Sequence, residues 1–376
     1  MKRTGIVIGW VLAATTATSV GAQEMTIEDY APRATLRVPA HPTARARFPF
    51  VDVHAHHPRV LSPAGVDSLV RQMDSLNMAV AVNLSGGTGE RLRAIIASLR
   101  GRHRDRFAVF ANLDFDGIGE PGWTDRAVTR LVEDVRSGAQ GLKIFKSLGL
   151  RVRDTRGVRV PVNDARLDPI WAQAGELGIP VLIHTGDPAP FWEPHDRFNE
   201  RWLELKERPE RKRGPDDPLP WEDLMAEQWD VFRRHPGTTF INAHLGWLGN
   251  DLARLGRLMD EFPNMHAELG AVLAEVGRQP RTARGFFIRY QDRLLMGKDS
   301  WAPDEYRVYF RTLETADEYF DYYRPRHAHW KLYGLDLPDE VLRKVYYANA
   351  LRLIPGLNPS AFDRAARGAV PGGGAP

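Results

Sequence analysis

The chain has 376 residues, of which 43% are hydrophobic and 26% are charged, as in globular proteins with one large domain or two smaller ones. Its formal net charge is only +3 and acidic residues occur throughout, which argues against a mainly disordered chain and against a nucleic-acid partner. The sequence contains no cysteine, so disulfides are excluded and any metal must be bound by histidine, carboxylate or lysine.

Residues 1–22 have the pattern of a secretory signal peptide. Lys2 and Arg3 precede an apolar run over residues 6–14, and small residues follow up to Ala22. The run is shorter than the roughly 20 residues that a membrane-spanning helix needs, which disfavours a transmembrane anchor. We therefore predict cleavage after Ala22 and export to the periplasm or the medium, with no membrane span in the mature chain.

After a polar, Pro-containing arm over residues 23–48, short β-type segments alternate with helical patterns. The β-type segments are FVDVHAH, MAVAVNLSG, FAVFANLDF, GLKIFKS, PVLIHTG, TFINAHLG, MHAELGA and RLLMGKD. Apolar residues at helical spacing predict helices between them, over residues 66–76, 90–99, 127–135, 170–177, 224–232 and 252–259. This alternation implies parallel strands, and eight repeats over residues 49–356 favour a single-domain α/β fold, the (β/α)8 TIM barrel. No GxGxxG or GxxxxGK[ST] motif follows a strand, which disfavours an open nucleotide-binding sheet.

Three segments depart from the alternation. Residues 186–222 are long, charged and Pro-rich and follow the fifth predicted strand, so we interpret them as a lid-like insertion over the active site. Residues 301–334 are rich in Tyr and Trp and are a candidate for a second wall of the pocket. A final helix is predicted over residues 338–353, and the tail over residues 357–376 is predicted to be disordered.

Histidine and aspartate residues end four of the predicted strands. His54 and His56 lie two apart on the first strand and therefore point to the same side, while His184, His244 and Asp299 end the fifth, sixth and eighth strands. The carboxyl ends of barrel strands meet at one face, so we expect these side chains to lie together. Imidazole and carboxylate groups suit zinc or a similar divalent ion, which activates water and polarises a carbonyl. A lone HxH pair is weak evidence, and the agreement of four strand ends carries the prediction.

This pattern resembles the amidohydrolase superfamily. The segments FVDVHAHH, GLKIFKSLG, PVLIHTG, FINAHLG and NALRLIPG are most similar to its amidohydrolase-related branch (amidohydrolase family 2), over roughly residues 50–356. That branch contains single-metal barrels that hydrolyse lactones or related compounds, and non-oxidative decarboxylases of aromatic or unsaturated acids. The resemblance implies one divalent ion, zinc before manganese or iron, bound by His54, His56, His184 and Asp299. It also implies that His244 is a catalytic acid or base, with Asp299 as a further proton acceptor.

Two lysines lie at informative positions of this pattern. Lys298 precedes Asp299 where the family usually has a small residue, and we interpret it either as a cation that holds an acidic substrate or as an outward-facing strand residue. Lys143 occupies the position where binuclear relatives have a carboxylated lysine that bridges two ions. A hydrogen-bonding or structural role is favoured over bridging, so a second ion is not expected.

The other candidate substrate-binding residues are Arg59, Lys146, Trp247 and Trp301, each with packing as the plainer alternative. The leading functional hypothesis is a hydrolase of an ester, lactone or amide of a small organic substrate. The alternative is a carboxy-lyase that uses the same metal site on an aromatic or unsaturated acid. A binding protein that has lost its chemistry is disfavoured by the complete ligand set. The expected partner is a small molecule, and assembly into a homo-oligomer is left open.

Overall fold

The computed structural model describes residues 25–360 and residue 362, so the predicted signal peptide and most of the predicted tail lie outside the described residues. Within the described ranges, none of the helices is long and apolar enough to span a membrane. Residues up to Leu36 form a unit of their own, whose described part contains a turn over residues 27–29. The second unit begins at Arg37 and contains every strand and helix of the described residues.

Parallel strands form the centre of this second unit, as predicted. They are β1 (Phe50–Ala55), β2 (Met78–Asn83), β3 (Phe107–Val109 and Ala111–Asn112, interrupted at Phe110), β4 (Leu142–Ile144), β5 (Val181–Ile183), β6 (Phe240–Asn242), β7 (Met265–Glu268) and β8 (Leu294–Leu295). Each pairs in parallel with the next along the chain. Beyond β8, Met296 O accepts a hydrogen bond from Val53 N at 3.0 Å, which brings the last strand back to β1. The chain therefore folds as a (β/α)8 barrel.

One hydrophobic cluster fills the middle of the barrel. Val51, Val80, Leu182, Ile241 and Leu295 come from five different strands and are buried in a single cluster. Strands on opposite sides of a barrel contact each other only through its interior, so this cluster is the barrel core. A second and larger cluster contains the residues packed between strands and helices.

Helices surround the strands, and their local sequence explains where they begin. In α1, Ser62 Oγ accepts a hydrogen bond from Gly65 N at 3.2 Å and Pro63 occupies the first turn. The helices are α1 (Pro63–Leu76), α2 (Gly89–Arg100), α3 (Trp123–Arg136), α4, a distorted turn (Ser147–Leu150), α5 (Asp168–Glu176), α6 (Trp202–Glu207), α7 (Trp221–Arg234), α8 (Leu252–Glu261), α9 (Leu273–Gly277), α10 (Pro280–Arg289), α11 (Pro303–Glu314), α12 (Asp339–Arg343) and α13 (Asn349–Leu353). A π-helical turn, Lys344–Ala348, joins the last two into the predicted final helix.

The insertion over residues 186–222 has regular structure. It contains the 3-10 turns Ala189–Phe191 and Pro209–Arg211 together with α6. Its Arg201 forms ion pairs with Glu204 and with Glu275 of α9, and all three residues are buried. The charged residues of the insertion are therefore partly buried, and an ion pair connects the insertion to α9.

Both flanking segments of the barrel also make specific contacts. In the arm, His41 Nδ1 lies 2.7 Å from Asp317 Oδ1 and Arg47 Nη1 lies 2.9 Å from Asp339 Oδ1. Phe362 belongs to the segment predicted to be disordered, but it is buried and stacks on Tyr347 with 5.1 Å between ring centroids. Phe362, near the start of the tail, is therefore packed against the ring of Tyr347.

Candidate metal centre

Three predicted ligands converge at the carboxyl ends of β1 and β8. His54 Nε2 lies 3.7 Å and His56 Nε2 lies 3.4 Å from Asp299 Oδ1. Each of the three residues offers one possible ligand atom, and these three atoms all lie within 4.8 Å of one another. The pairing of β1 with β2 changes register between Asp52 and Ala55, the stretch that contains Val53 and His54. The His54 side chain is buried at the carboxyl end of β1.

Backbone contacts hold β1 and the segment after β8 together at this point. Asp299 N donates to His54 O at 2.7 Å, and Asp299 has a left-handed φ of 86°. The buried Asp52 accepts hydrogen bonds from His54 N at 2.9 Å and from Lys298 N at 3.1 Å. Burial raises the pKa of Asp52 to about 6. Asp52 therefore fixes the spacing of the two strands that carry the ligands.

His184 and His244 border this group on the other side. The ring of His244 lies 4.9 Å from that of His54 and 4.4 Å from that of His184, measured between centroids. His184 Nε2 is buried and has no hydrogen-bond partner among the described residues. His244 Nδ1 lies 2.7 Å from Gly270 O, and because a carbonyl oxygen only accepts, Nδ1 carries the proton. The Nε2 atom of His244 therefore keeps its lone pair.

His244 lies on a left-handed turn. The φ angles of His244, Leu245, Gly246 and Trp247 are 58°, 52°, 60° and 57°. Left-handed backbone costs roughly 1–2 kcal/mol for each residue with a side chain, so the turn must be held by its surroundings. A Cβ atom on Gly246 would collide with the side chain of Asn242, which explains glycine there. The turn stacks the Trp247 indole on the His244 ring, with 4.4 Å between centroids and 24° between planes.

Burial keeps the histidines of the site neutral. It lowers the pKa of His54 and of His184 well below the ordinary value, and Lys143 and neighbouring histidines add to the effect. The pKa of His244 falls to about 4, again mainly because of burial. A neutral imidazole has the lone pair that a metal ligand or a base requires.

Charged groups complete the site. Burial by itself would raise the pKa of Asp299, but interactions with His56 and with the buried histidines hold this pKa below its ordinary value. Lys143 is fully buried, burial lowers its pKa to about 7, and its Nζ has no hydrogen-bond partner in the described part of the chain. An ionised carboxylate, neutral imidazoles and an orphaned buried His184 nitrogen together fit a divalent cation.

Other predicted site residues have different positions. Trp247 contacts both His184 and His244. Lys146 is half-exposed and forms an ion pair with the buried Asp187, which neutralises it. Arg59 lies in the exposed loop that follows β1.

Two of the predicted substrate-binding residues have partners elsewhere in the fold. The fully buried ammonium of Lys298 pairs with Glu305 and donates to Ser300 O at 2.6 Å. Trp301 donates from Nε1 to Gln72 Oε1 of α1 at 2.9 Å and packs on His57, so it belongs to the helix layer.

Three residues outside the main sequence-based predictions also lie at the site. Phe145 follows β4, is 37% exposed and stacks beside His56 with 5.9 Å between centroids. Ser85 Oγ lies 2.8 Å from His56 Nδ1. Glu268 ends β7 fully buried and contacts His54. A single acidic residue inside the apolar segment MHAELG was the available sequence signal for Glu268.

Comparisons with known proteins agree with this architecture. A sequence model of the amidohydrolase family matches residues 51–356. An uncharacterised TIM-barrel protein from Bordetella bronchiseptica is 16% identical, with 81% of this chain and 97% of that chain covered and a TM-score of 0.50. A 2,6-dihydroxybenzoate decarboxylase, solved with 2,6-dihydroxybenzoate, is 15% identical, with coverages of 81% and 99% and a TM-score of 0.51. At these identities the two structures share the fold. No curated protein is significantly similar to the chain.

Proposed function

The chain belongs to the amidohydrolase family, and from this premise we propose that it is a metal-dependent hydrolase that cleaves an ester, lactone or amide bond of a small organic substrate. The observation that carries the proposal is His244, a neutral base with a free Nε2, whose ring lies 4.9 Å between centroids from that of His54, a member of the His54, His56 and Asp299 group. A base next to a cation site is the arrangement that hydrolysis of a carbonyl compound requires.

His54, His56, His184 and Asp299 hold one divalent ion in this proposal, with zinc before manganese or iron. Such an ion supplies Lewis-acid chemistry that polarises the substrate carbonyl and activates water. His244 takes a proton at Nε2 and returns it to the leaving group. Asp299 acts as an anionic ligand in this proposal and is a second candidate for the proton carrier. Lys143 serves as a buried positive neighbour of the ligands.

Two of the cations near the pocket are engaged with acidic partners. A decarboxylase needs positive groups that bind the acid of its substrate. Lys146 pairs with Asp187 and Lys298 with Glu305, which makes these two lysines less available for that task, whereas the buried Lys143 has no hydrogen-bond partner in the described chain. The carboxy-lyase stays the second candidate because the exposed ring of Phe145 beside His56 could stack on a planar acid.

The test is metal analysis of the purified chain together with a substrate screen. Lactones, esters, amides and aromatic acids are incubated with the protein, and release of protons and of carbon dioxide is recorded separately. We expect one divalent ion per chain and proton release without carbon dioxide. Carbon dioxide release would replace the hydrolase by the carboxy-lyase, and a chain purified without chelator that holds no metal would support a binding protein.

Replacing His244 separates a proton carrier from a metal ligand. Asparagine is the suitable replacement, because it tolerates the left-handed φ of 58° at this position. In His244→Asn we expect bound metal to be retained and kcat to fall by roughly 10²–10⁴-fold, the range for loss of a general acid or base. Loss of the metal instead would make His244 a ligand.

Export is proposed separately, from residues 1–22 alone. The N-terminal sequence of protein secreted by an expression host tests it, and a mature chain that begins at Gln23 is expected. A small-molecule substrate is the proposed partner, and sedimentation of the pure protein would show whether copies of the chain associate.

A further inference from the structure

We propose that Glu268 is the positioning residue of this centre, because one buried carboxylate both selects the tautomer of His54 and holds the turn that carries His244. Glu268 has no exposed surface and ends β7. Its Oε1 lies 2.9 Å from His54 Nδ1 and accepts a hydrogen bond from His244 N at 2.7 Å. Its Oε2 accepts from Gly270 N at 2.6 Å. Three nitrogen atoms from three different chain segments therefore meet on one side chain.

The contact with His54 decides which ring nitrogen is free. A neutral imidazole carries one N–H and one lone pair, and both oxygens of Glu268 already accept from backbone N–H groups, so we assign the proton of His54 to Nδ1. The lone pair is then on Nε2, the atom that lies 3.7 Å from Asp299 Oδ1. A carboxylate behind a ligating histidine fixes the ring orientation and raises its affinity for a metal. Glu268 thus prepares His54 for the ion without being one of its ligands.

The contacts with His244 and Gly270 hold the strained turn. Glu268 binds the backbone N–H of His244 directly. It also binds the N–H of Gly270, whose carbonyl in turn accepts the proton of His244 Nδ1. The left-handed His244 is therefore fixed at its backbone and at its ring, and both attachments depend on Glu268. Left-handed backbone persists in proteins only where such surroundings determine it.

Two glycines lie so close to the Glu268 carboxylate that a side chain at either position would clash with it. A Cβ atom on Gly297 would collide with Glu268 Oε2, and a Cβ on Gly270 would lie 2.9 Å from the same oxygen. Real Cβ atoms do not approach an oxygen so closely. The two glycines therefore allow the backbone of β7 and of the β8 extension to close on the carboxylate.

The tautomer is tested in metal-free protein, so that this inference, which rests on the proposed ion site, can fail independently of it. Full-length protein labelled with ¹⁵N is stripped of metal with a chelator, and two-bond ¹H–¹⁵N correlations of the histidine rings are recorded. The His54 signal is identified by its loss in His54→Gln. We expect a proton on Nδ1 of His54. A proton on Nε2 overturns the proposal, and this result needs no variant of Glu268.

Zinc affinity is the second readout. In Glu268→Leu we expect the affinity for zinc, measured by competition with a chromogenic chelator, to fall roughly 10–100-fold, as for other residues behind a ligand. His54 should shift toward the tautomer with the proton on Nε2. An unchanged zinc affinity and tautomer in the folded variant would contradict the proposal.

Glu314→Leu is the matched control. Glu314 is also buried, and its Oε1 accepts from Arg47 N at 3.0 Å and from Tyr346 OH at 2.7 Å, on α11 and away from the site histidines. We expect this variant to lose stability but to keep zinc affinity and the His54 tautomer. Equal losses of zinc affinity in both variants would show a merely structural role for Glu268 and overturn the proposal.

Discussion

Ionisable groups are buried both at the barrel mouth, where the carboxyl ends of the strands meet, and in the insertion over residues 186–222. The two regions differ in the partners that these groups have. In the insertion, Arg201 has Glu204 and Glu275 as partners of opposite charge, although Arg201 Nε and Glu275 Oε2 make no hydrogen bond of their own among the described residues. At the mouth, Lys143 Nζ and His184 Nε2 are buried without a hydrogen-bond partner in the described chain. Buried polar groups are normally satisfied, so orphaned ones that converge on one point indicate a site for something else. Paired burial indicates structure instead.

This difference predicts opposite effects of mutation in the two regions. An unsatisfied buried polar group costs about 1–3 kcal/mol, so removal of such groups at the mouth should not weaken the fold. Breaking a buried ion pair leaves one charge uncompensated and is strongly destabilising. Variants at the mouth should therefore lose metal and activity, whereas variants in the insertion should lose stability.

The largest expected effect is that of Asp299→Asn. The change removes the anionic ligand, and we expect zinc affinity to fall by more than about 100-fold, beyond the loss seen for residues behind a ligand. The unfolding midpoint of the metal-free protein in urea should fall only slightly, because the contacts of Asp299 with His54 and His56 are lost but its side chain is partly exposed. Chelator competition and urea titration measure the two quantities.

Asp187→Asn is the control for this change in the insertion. Asp187 is buried like the site residues, but it is paired with Lys146. We expect it to keep zinc affinity and to lose stability. If Asp299→Asn retains both zinc and turnover, the assignment of the metal centre is wrong.

An intermediate effect is expected for the ion pair of the insertion. Glu275→Gln leaves Arg201 with Glu204 as its remaining partner, and we expect the free energy of unfolding to fall by about 1.5–3 kcal/mol, the range for a hydrogen bond to a charged group. Zinc affinity should not change. A loss of zinc affinity in Glu275→Gln would erase the distinction between the regions.

Sequence reasoning reached the barrel and its strand ends because both are encoded locally. Apolar runs with alternating helices fixed the strands, and His54, His184 and Asp299 could be placed by their position at strand ends. Lys298 could not be resolved in this way, because its partner Glu305 lies on α11 and only the packed structure brings them together. The same holds for Glu268, whose three donors come from separate segments.

The insertion also has a property that could not be predicted from the sequence. Its charged and Pro-rich composition indicated a lid-like loop, but composition does not show that Arg201 meets Glu275 of α9. A charge run is solvated unless partners from elsewhere bury it, and those partners are tertiary information. The ionisable residues of a functional site and those of a buried ion pair can look alike in a sequence. They differ in whether the folded chain supplies a partner of opposite charge.

The smallest expected effect concerns Ser85→Ala and refines the comparison within the mouth itself. Ser85 Oγ stands behind His56 at 2.8 Å, as Glu268 stands behind His54, but it is a neutral hydroxyl. A neutral hydrogen bond contributes about 0.5–1.5 kcal/mol, so zinc affinity should fall by roughly 2–10-fold in chelator competition. His56 is also 24% exposed in its side chain, so water can replace the lost hydroxyl. If zinc affinity falls as much in Ser85→Ala as in Glu268→Leu, the orientation of the His56 ring matters as much as that of His54. The charge of the group that contacts each ring would then make no difference.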